Sequence, residues 1–419
     1  MKVDKNVNVF LTITKEAIKQ EIELGEFSQY KDADWMEVLQ LAVRNKLLEV
    51  MFPVIDQIYQ KNLIPDEVYA NWNSITKIST IYQYRHYYAI RQVIAACKGK
   101  DILPILFKGC VLAEQYPKYV LRSSSDTDIY VYDCDRKKME EVFKELGYDY
   151  LEEESKHKVQ VFKSKELNHI IELHTCLWED YSGPKMTLLE NMNLTSRDSL
   201  ITITACGIEL TTLGHTEHLI YQMFHIIKHF SIEGISIRYL LDITLFIHKY
   251  HNQIDFERFW DCMEKLQYTK FTQTLFWICI KYFDLNKDVF LGQKITEPDN
   301  VEDLLKDLLA VGISFDDCSA QWQILGIMTP YLVGEESYSK SKLTRKLKVL
   351  FPSNKALSED YAYAKRHRIL VPIAWIHRDI KFIIKRHQNK KDWYDASDKL
   401  KIAEHRISLM NDLGLIGMK

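Results

Sequence analysis

KGCVLAEQYPKYVLRSSSDTDIYVYD, from Lys108 to Asp133, is the stretch on which the rest of the chain is read. Side chains alternate between the two faces of a strand, so a strand that begins at Asp126 puts Asp126 and Asp128 on one side. Ile129, Tyr130 and Val131 follow at once, an apolar continuation that buries the strand and fixes both carboxylates. Just upstream, ILPILF (102–107) predicts a strand, Lys108-Gly109 a tight turn and VLAEQY a helix. Downstream, residues 135–148 predict a helix, and VQVFK (159–163) and HIIELHT (169–175) predict two further strands. The fold class expected is α+β.

Outward from this unit the pattern turns helical. Between Asp32 and Lys98, Trp35, Val38, Leu39, Leu41, Ala42 and Leu47 recur at helical spacing, and Pro53 and Pro65 sit where helices would begin or break. Residues 75–97 predict one long helix. Beyond Gly214, four further segments (215–230, 237–250, 256–266 and 271–283) carry helical spacing with little β propensity. The expected organisation is a helical region over 1–98, an α+β core over 99–213 and a helical domain over 214–419. No internal repeat and no low-complexity tract interrupts it.

Composition limits the classes of function. Hydrophobic residues make up 47% and charged residues 27% of 419, with 14 Gly and 9 Pro, as in a folded chain. A net charge of -3 supplies no overall positive field, which disfavours nucleic acid as a partner. The 8 cysteines are scattered without C-x-x-C pairs or zinc spacing and read as reduced thiols. The opening residues lack the apolar run and cleavage site of a signal peptide, and no apolar stretch approaches a membrane span. A cytoplasmic location is expected.

Two carboxylates on one strand face have two readings. Acidic residues at a solvent-exposed strand end after a Ser-Ser-Ser loop are common and inert. Alternatively they grip hard cations, as phosphoryl and nucleotidyl transfer require: two Mg²⁺ (or Mn²⁺) ions roughly 3.5 to 4 Å apart hold a triphosphate and activate an acceptor hydroxyl. A third carboxylate usually completes such a cage. Glu172 is the candidate, because Ile171 and Leu173 would face the core from the other side of its strand. A Glu alone in an apolar strand needs a metal or basic partner unless it faces water at an edge.

Strand, Gly turn, helix, D-x-D strand and later acidic strand, in this order, resemble the DNA polymerase β-like nucleotidyltransferase superfamily. More narrowly, K-G at 108 and 109, R-x-x-x-D-x-D at 122–128 and I-E-L-H at 171–174 resemble a bacterial family of uncharacterised nucleotidyltransferases. HIIKHF (225–230) and IRYLLDI (237–243) extend the likeness weakly, so that it covers roughly residues 100–250. The resemblance implies a small mixed sheet with helices, flanked by large helical regions. It implies Asp126 and Asp128 as metal ligands and Glu172 as the third acidic residue and a base for the acceptor hydroxyl. One departure is plain. The superfamily has Gly-Ser in the turn, whereas this chain has Lys108-Gly109-Cys110, so phosphate would rest on the Gly109 backbone, the following helix N-terminus and the Lys108 charge.

Other residues carry open alternatives. Arg122 balances the carboxylates, holds a phosphate through its planar fork, or is a surface arginine. Ser125, at the mouth of the D-x-D strand, is a candidate for substrate phosphate. His174 orients Glu172, contacts donor phosphate, or is structural. His225 and His229 are spaced i, i+4, as are Arg238 and Asp242. HIIKH lacks the Glu of H-E-x-x-H and no third ligand is evident, which disfavours metalloprotease chemistry. Lys228, His229 and Arg238 would then line the far wall of a cleft, with Asp242 paired to Arg238, unless they form an ordinary helix-helix salt bridge. The basic, aromatic stretch 365–391 either lies on a membrane surface or packs as a terminal helix.

The function expected is transfer of a nucleoside monophosphate from a nucleoside triphosphate to a hydroxyl or phosphate on a small molecule or peptide. A nucleotide-sugar donor in the same cage, giving glycosyl transfer, is the enzymatic alternative. A non-catalytic nucleotide- or partner-binding protein is the alternative of another class.

Overall fold

The computed structural model describes residues 4–19, 31–152, 155, 159–178, 186–232, 234–293, 296–310, 324–325, 328, 361, 363–364, 367–377 and 396–416. Four helices lead: α1 (Lys5–Ala17), α2 (Trp35–Arg44), α3 (Leu48–Tyr59) and α4 (Asp66–Lys98). Asp34 starts α2 by accepting the backbone N–H groups of Met36 and Glu37, two donors that a helix start otherwise leaves free. Pro65 precedes α4, where its fixed φ suits a helix entry. Pro53 corrects the expectation that it marks a boundary, because it lies inside α3. Packing of Met51, Val54 and Ile55 into the core outweighs the one hydrogen bond lost there.

Next comes the sheet unit: β1 (Ile105–Phe107), α5 (Gly109–Ala113), β2 (Asp126–Tyr130), α6 (Arg136–Glu145), β3 (Tyr148–Tyr150), β4 (Val159–Ser164), β5 (His169–His174), α7 (Met186–Asn191), β6 (Leu200–Ala205) and β7 (Ile208–Leu213). The seven strands form one mixed sheet in the order β3-β4-β5-β2-β1-β7-β6. β2 runs antiparallel to β1 and parallel to β5, while β1 runs parallel to β7. Helices α8 (His215–Ile232), α9 (Ile237–Tyr250), α10 (Phe256–Lys265), α11 (Thr269–Phe283), α12 (Val301–Ala310) and α13 (Ala396–Asp412) follow. The expected class, a mixed sheet with helices between helical flanks, is what forms. The first strand is shorter than expected, starting at Ile105, and β3, β6 and β7 carry no pattern strong enough to have announced them.

Two apolar clusters cover the two faces of the sheet. Leu106, Ile129, Ile171, Leu173, Ile208 and Leu210 point to one face, under α4 and α6. Ile105, Phe107, Tyr130 and Leu213 point to the other and join a cluster that runs from Val9 in α1 to Leu415. That second cluster unites the leading and trailing helices in one core. A hydrogen bond shows the same union: the Asn45 Oδ1 that ends α2 accepts the Ile237 N–H that begins α9, at 3.0 Å. Within the stretch 365–391, only 367–377 are described, and Ile369, Ile373 and Ile376 are exposed there. The remainder lies outside the described residues. No described helix is long and apolar enough to cross a membrane.

Candidate active site

Register places the carboxylates. Parallel pairing sets Asp128 opposite Glu172 and Asp126 opposite Ile170, so Asp126, Asp128, Glu172 and His174 share the face that looks toward α8. Ile171 and Leu173 turn into the opposite core, as expected of a strand that presents one acidic residue. Asp128 is 4% exposed and could not stay ionised there alone. Its Oδ1 accepts from Lys108 Nζ at 2.6 Å and from His174 Nε2 at 3.1 Å. His174 Nε2 also lies 3.5 Å from Glu172 Oε2. Among the described residues, the potential ligand atoms of Asp128, Glu172 and His174 fall within 4.8 Å of one another, a grouping able to hold a metal ion. Asp126 stands outside that grouping, at the half-buried start of β2.

The electrostatics of the four groups are interlocked. Burial alone would raise the Asp128 carboxyl, but the Lys108 ammonium and the His174 hydrogen bond hold it well below the usual range. Burial works against charge on Lys108 as well, and Asp128, Tyr221 and Glu172 push its pKa well above the ordinary value. Asp126 is raised, first by burial and then by the Asp128 and Glu172 charges. Burial opposes protonation of His174, while its hydrogen bonds to Asp128 and Glu172 raise its pKa. His174 thus stands between Asp128 and Glu172, with Nε2 within 3.1 Å of one and 3.5 Å of the other.

Lys108 reaches this position from an unusual backbone. It caps α5 at φ 60° and ψ -123°, a conformation that a residue with a Cβ rarely adopts. Surrounding contacts enforce it: the Lys108 N–H donates to His218 Nε2 at 3.4 Å and its carbonyl accepts Leu112 N at 2.8 Å. Burial lowers the His218 pKa to about 3, so its ring is neutral and free to accept. Gly109 comes next because a Cβ there would stand 3.3 Å from Ser124 Oγ. The ammonium sits 5.5 Å from the Phe107 ring centroid and 5.8 Å from that of Tyr221.

Arg122 and Asp242 are brought together, though not as the spacing suggested. Arg122 is 5% exposed and forks onto Asp242, with Nε to Oδ1 and Nη2 to Oδ2 both at 2.8 Å. Tyr116 adds its hydroxyl to the same carboxylate at 2.8 Å, and Arg122 Nη1 donates to Ser124 Oγ at 2.8 Å. This corrects the expected Asp242–Arg238 pair and the reading of Arg122 as a surface residue. Helical i, i+4 neighbours meet only if no stronger partner competes, and a buried planar fork offers two charge-assisted hydrogen bonds. Arg238 instead donates through Nη1 to the Ser123 carbonyl at 2.6 Å, holding the Ser loop that leads to β2. Ser125 lies in that loop, where Tyr82 donates to its carbonyl at 3.4 Å.

Helix α8 supplies the opposite wall. His218, Tyr221 and His225 lie one turn apart on one helix face, and Tyr221 packs edge-on to Phe107 at 5.1 Å. His225 meets His229 at 4.3 Å between centroids, and both rings lie about 6 Å from Tyr239. Burial, followed by the Lys108 charge, keeps the His225 pKa well below normal. Lys228 and His229 stand on this helix without belonging to the metal-capable grouping. Tyr221 and His218 were missed from sequence, although their helical spacing with His225 was there to be read.

A mixed sheet thus sets Asp128, Glu172 and His174, a grouping able to hold a metal ion, on the face that looks toward α8. Residues 31–284 match the family described as uncharacterised nucleotidyltransferase, more than half the chain, and the protein belongs to that family. Among solved structures, the crystal structure of ANT(2″)-Ia in complex with adenylyl-2″-tobramycin is similar at 10% identity and a TM-score of 0.32, covering 42% of this chain and 94% of that one. An antigenic nucleotidyltransferase-like protein from Paracoccidioides brasiliensis is similar at 13% identity and a TM-score of 0.28, covering 39% and 76%. No curated protein matches the chain.

Proposed function

We propose that this nucleotidyltransferase moves a nucleoside monophosphate from a nucleoside triphosphate to a hydroxyl or phosphate on a small molecule or peptide, with the help of Mg²⁺ or Mn²⁺. The observation that carries the reading is the direct pairing of Asp128 with Glu172, with Asp126 two residues along the same face. Carboxylate oxygens are the donors that hard cations prefer, so the residues fit the ion. Asp128 and Glu172, which belong to the metal-capable grouping, would hold it, with Asp126 the third carboxylate along the same face; when bound, it would supply charge neutralisation for the triphosphate and activate the acceptor oxygen.

The chain's own groups account for the remaining steps. Glu172, whose side chain is 34% exposed, is open to the cleft and takes the proton of an acceptor hydroxyl. The acceptor oxygen bonds to the α-phosphorus as the bond to the β-phosphate bridge breaks, and pyrophosphate leaves with the electron pair. His174 keeps Asp128 and Glu172 oriented, and Arg238 holds the loop before β2 through Ser123. Lys228 and His229 on α8 are the candidates to meet phosphate or acceptor, with Ser125 and Gly109 those for the donor end. The described cysteines are all free, consistent with work in the cytoplasm.

Calorimetric titration of ATP, GTP, CTP, UTP and UDP-glucose with Mg²⁺ tests this on the wild type and on Asp126→Asn/Asp128→Asn. Metal-dependent binding of a triphosphate, abolished by the double substitution, is the expected result. Preference for UDP-glucose would turn the reading to glycosyl transfer. Undiminished binding in the variant, or none in either protein, would overturn it in favour of a binding protein.

A further inference from the structure

We propose that the Lys108 ammonium is a resident cation of this centre, occupying the place of one of the two divalent ions, so that the chain works with a single exchangeable metal. The proposal rests on the nucleotidyltransferase reading of the site and adds to it the number of ions.

A pair of ions a few ångströms apart shares a bridging carboxylate, one oxygen to each ion. Asp128 is the central carboxylate here, flanked by Glu172 across the ladder and Asp126 along the strand. Its Oδ1 is already taken by Lys108 Nζ at 2.6 Å and His174 Nε2 at 3.1 Å. One carboxylate oxygen has two lone pairs, and both have donors. Only Oδ2 remains for a metal, which is the share of a carboxylate that binds one ion.

Charge points the same way. Three carboxylates face the centre, and the Lys108 ammonium cancels one of them in a site too buried for a stray cation to be indifferent. A cation already held at the Asp128 oxygen weakens the attraction of that carboxylate for a second ion. Lys108 also holds its place at a cost. Its positive φ is strained for any residue but glycine, and such strain persists where the surroundings and the function both fix it. A lysine that merely reached for solvent would gain nothing from that backbone.

The test counts ions without depending on turnover. Equilibrium dialysis of the full chain against Mn²⁺ and inorganic tripolyphosphate, with electron paramagnetic resonance of the bound Mn²⁺, is done on the wild type, Lys108→Met and Lys108→Arg. One ion per chain in the wild type and in Lys108→Arg, rising to two with a spin-coupled spectrum in Lys108→Met, is the expected result. Two ions in the wild type would overturn the proposal and leave the nucleotidyltransferase reading standing. One ion in both the wild type and Lys108→Met would overturn the exclusion of the second ion by Lys108. No bound ion in any of the three would overturn this proposal together with the metal-dependent function.

Discussion

Two buried ion pairs stand within one small region, and they are built differently. Arg122 and Asp242 meet through a two-point fork, with Tyr116 and Ser124 filling the remaining positions, and their side chains are 6% and 3% exposed. Lys108 and Asp128 meet at a single oxygen, and Lys108 keeps 17% exposure. The first pair has no vacancy and ties the sheet unit to α9. The second leaves one carboxylate oxygen free and a flexible stem on the cation. A fork with every hydrogen bond satisfied fixes geometry, whereas a point charge held at one oxygen leaves the other oxygen to an incoming ligand. Burial of charge is common to both; the number of satisfied positions separates structure from chemistry.

The largest effect should fall on the first pair. Asp242→Asn leaves the Arg122 charge buried without its counterion and should cost about 3 to 5 kcal/mol of folding stability, read by thermal or urea unfolding. A loss below about 1 kcal/mol would break the contrast. Asp128→Asn should act the other way: nucleotidyl transfer falls about 10²- to 10³-fold, while the melting temperature moves far less than in Asp242→Asn, because Lys108, 17% exposed, keeps partial contact with water. Equal melting losses in the two variants would make both pairs structural.

A smaller effect belongs to the back of β2 and separates it from either pair. There Thr127 Oγ1 lies 2.8 Å from His169 Nε2 and 3.4 Å from His86 Nε2, with Tyr148 on His169 Nδ1 at 2.6 Å. Burial lowers the His86 pKa from 6.5 to about 4. A histidine depressed in the folded state contributes stability above its unfolded pKa and loses it as the pH falls toward the folded one. For His86 the loss should reach about 2 kcal/mol by pH 5, and His86→Leu should flatten the fall in melting temperature between pH 7 and 5. An unchanged slope in that variant would assign the acid sensitivity elsewhere. Lys108→Gly should show the smallest change in stability, within about 1 kcal/mol, since His174 stays on Asp128 and relief of the positive φ offsets the lost ion pair. A loss approaching that of Asp242→Asn would show that the second pair is as structural as the first.

Much of the site was legible in the chain because strands have a fixed period. Alternation gave the shared side of Asp126 and Asp128 and the outward turn of Glu172, while the pairing of Glu172 with Asp128 came with the register. The helices α8 to α11 were legible for the parallel reason, an apolar repeat near 3.6. Other strands were not. β3 is three residues long, and β6 and β7 alternate threonines with aliphatics in a way that loops also do. Pro53 misled because local propensity is weak beside the packing of a helix that is buried on its inner side.

The sequence by itself determined which residues point together along one element: the D-x-D face, the outward Glu172 and the one-turn steps of α8. Those follow from backbone geometry, which is the same in every strand and helix. Only the tertiary structure decided which partner each charge takes. Asp242 chose Arg122, 120 positions away, over Arg238 on its own helix, and Lys108 was turned onto Asp128 by a backbone bend that His218 holds. In a buried site the closest fully satisfied partner wins, and closeness there is set by the fold, not by separation along the chain.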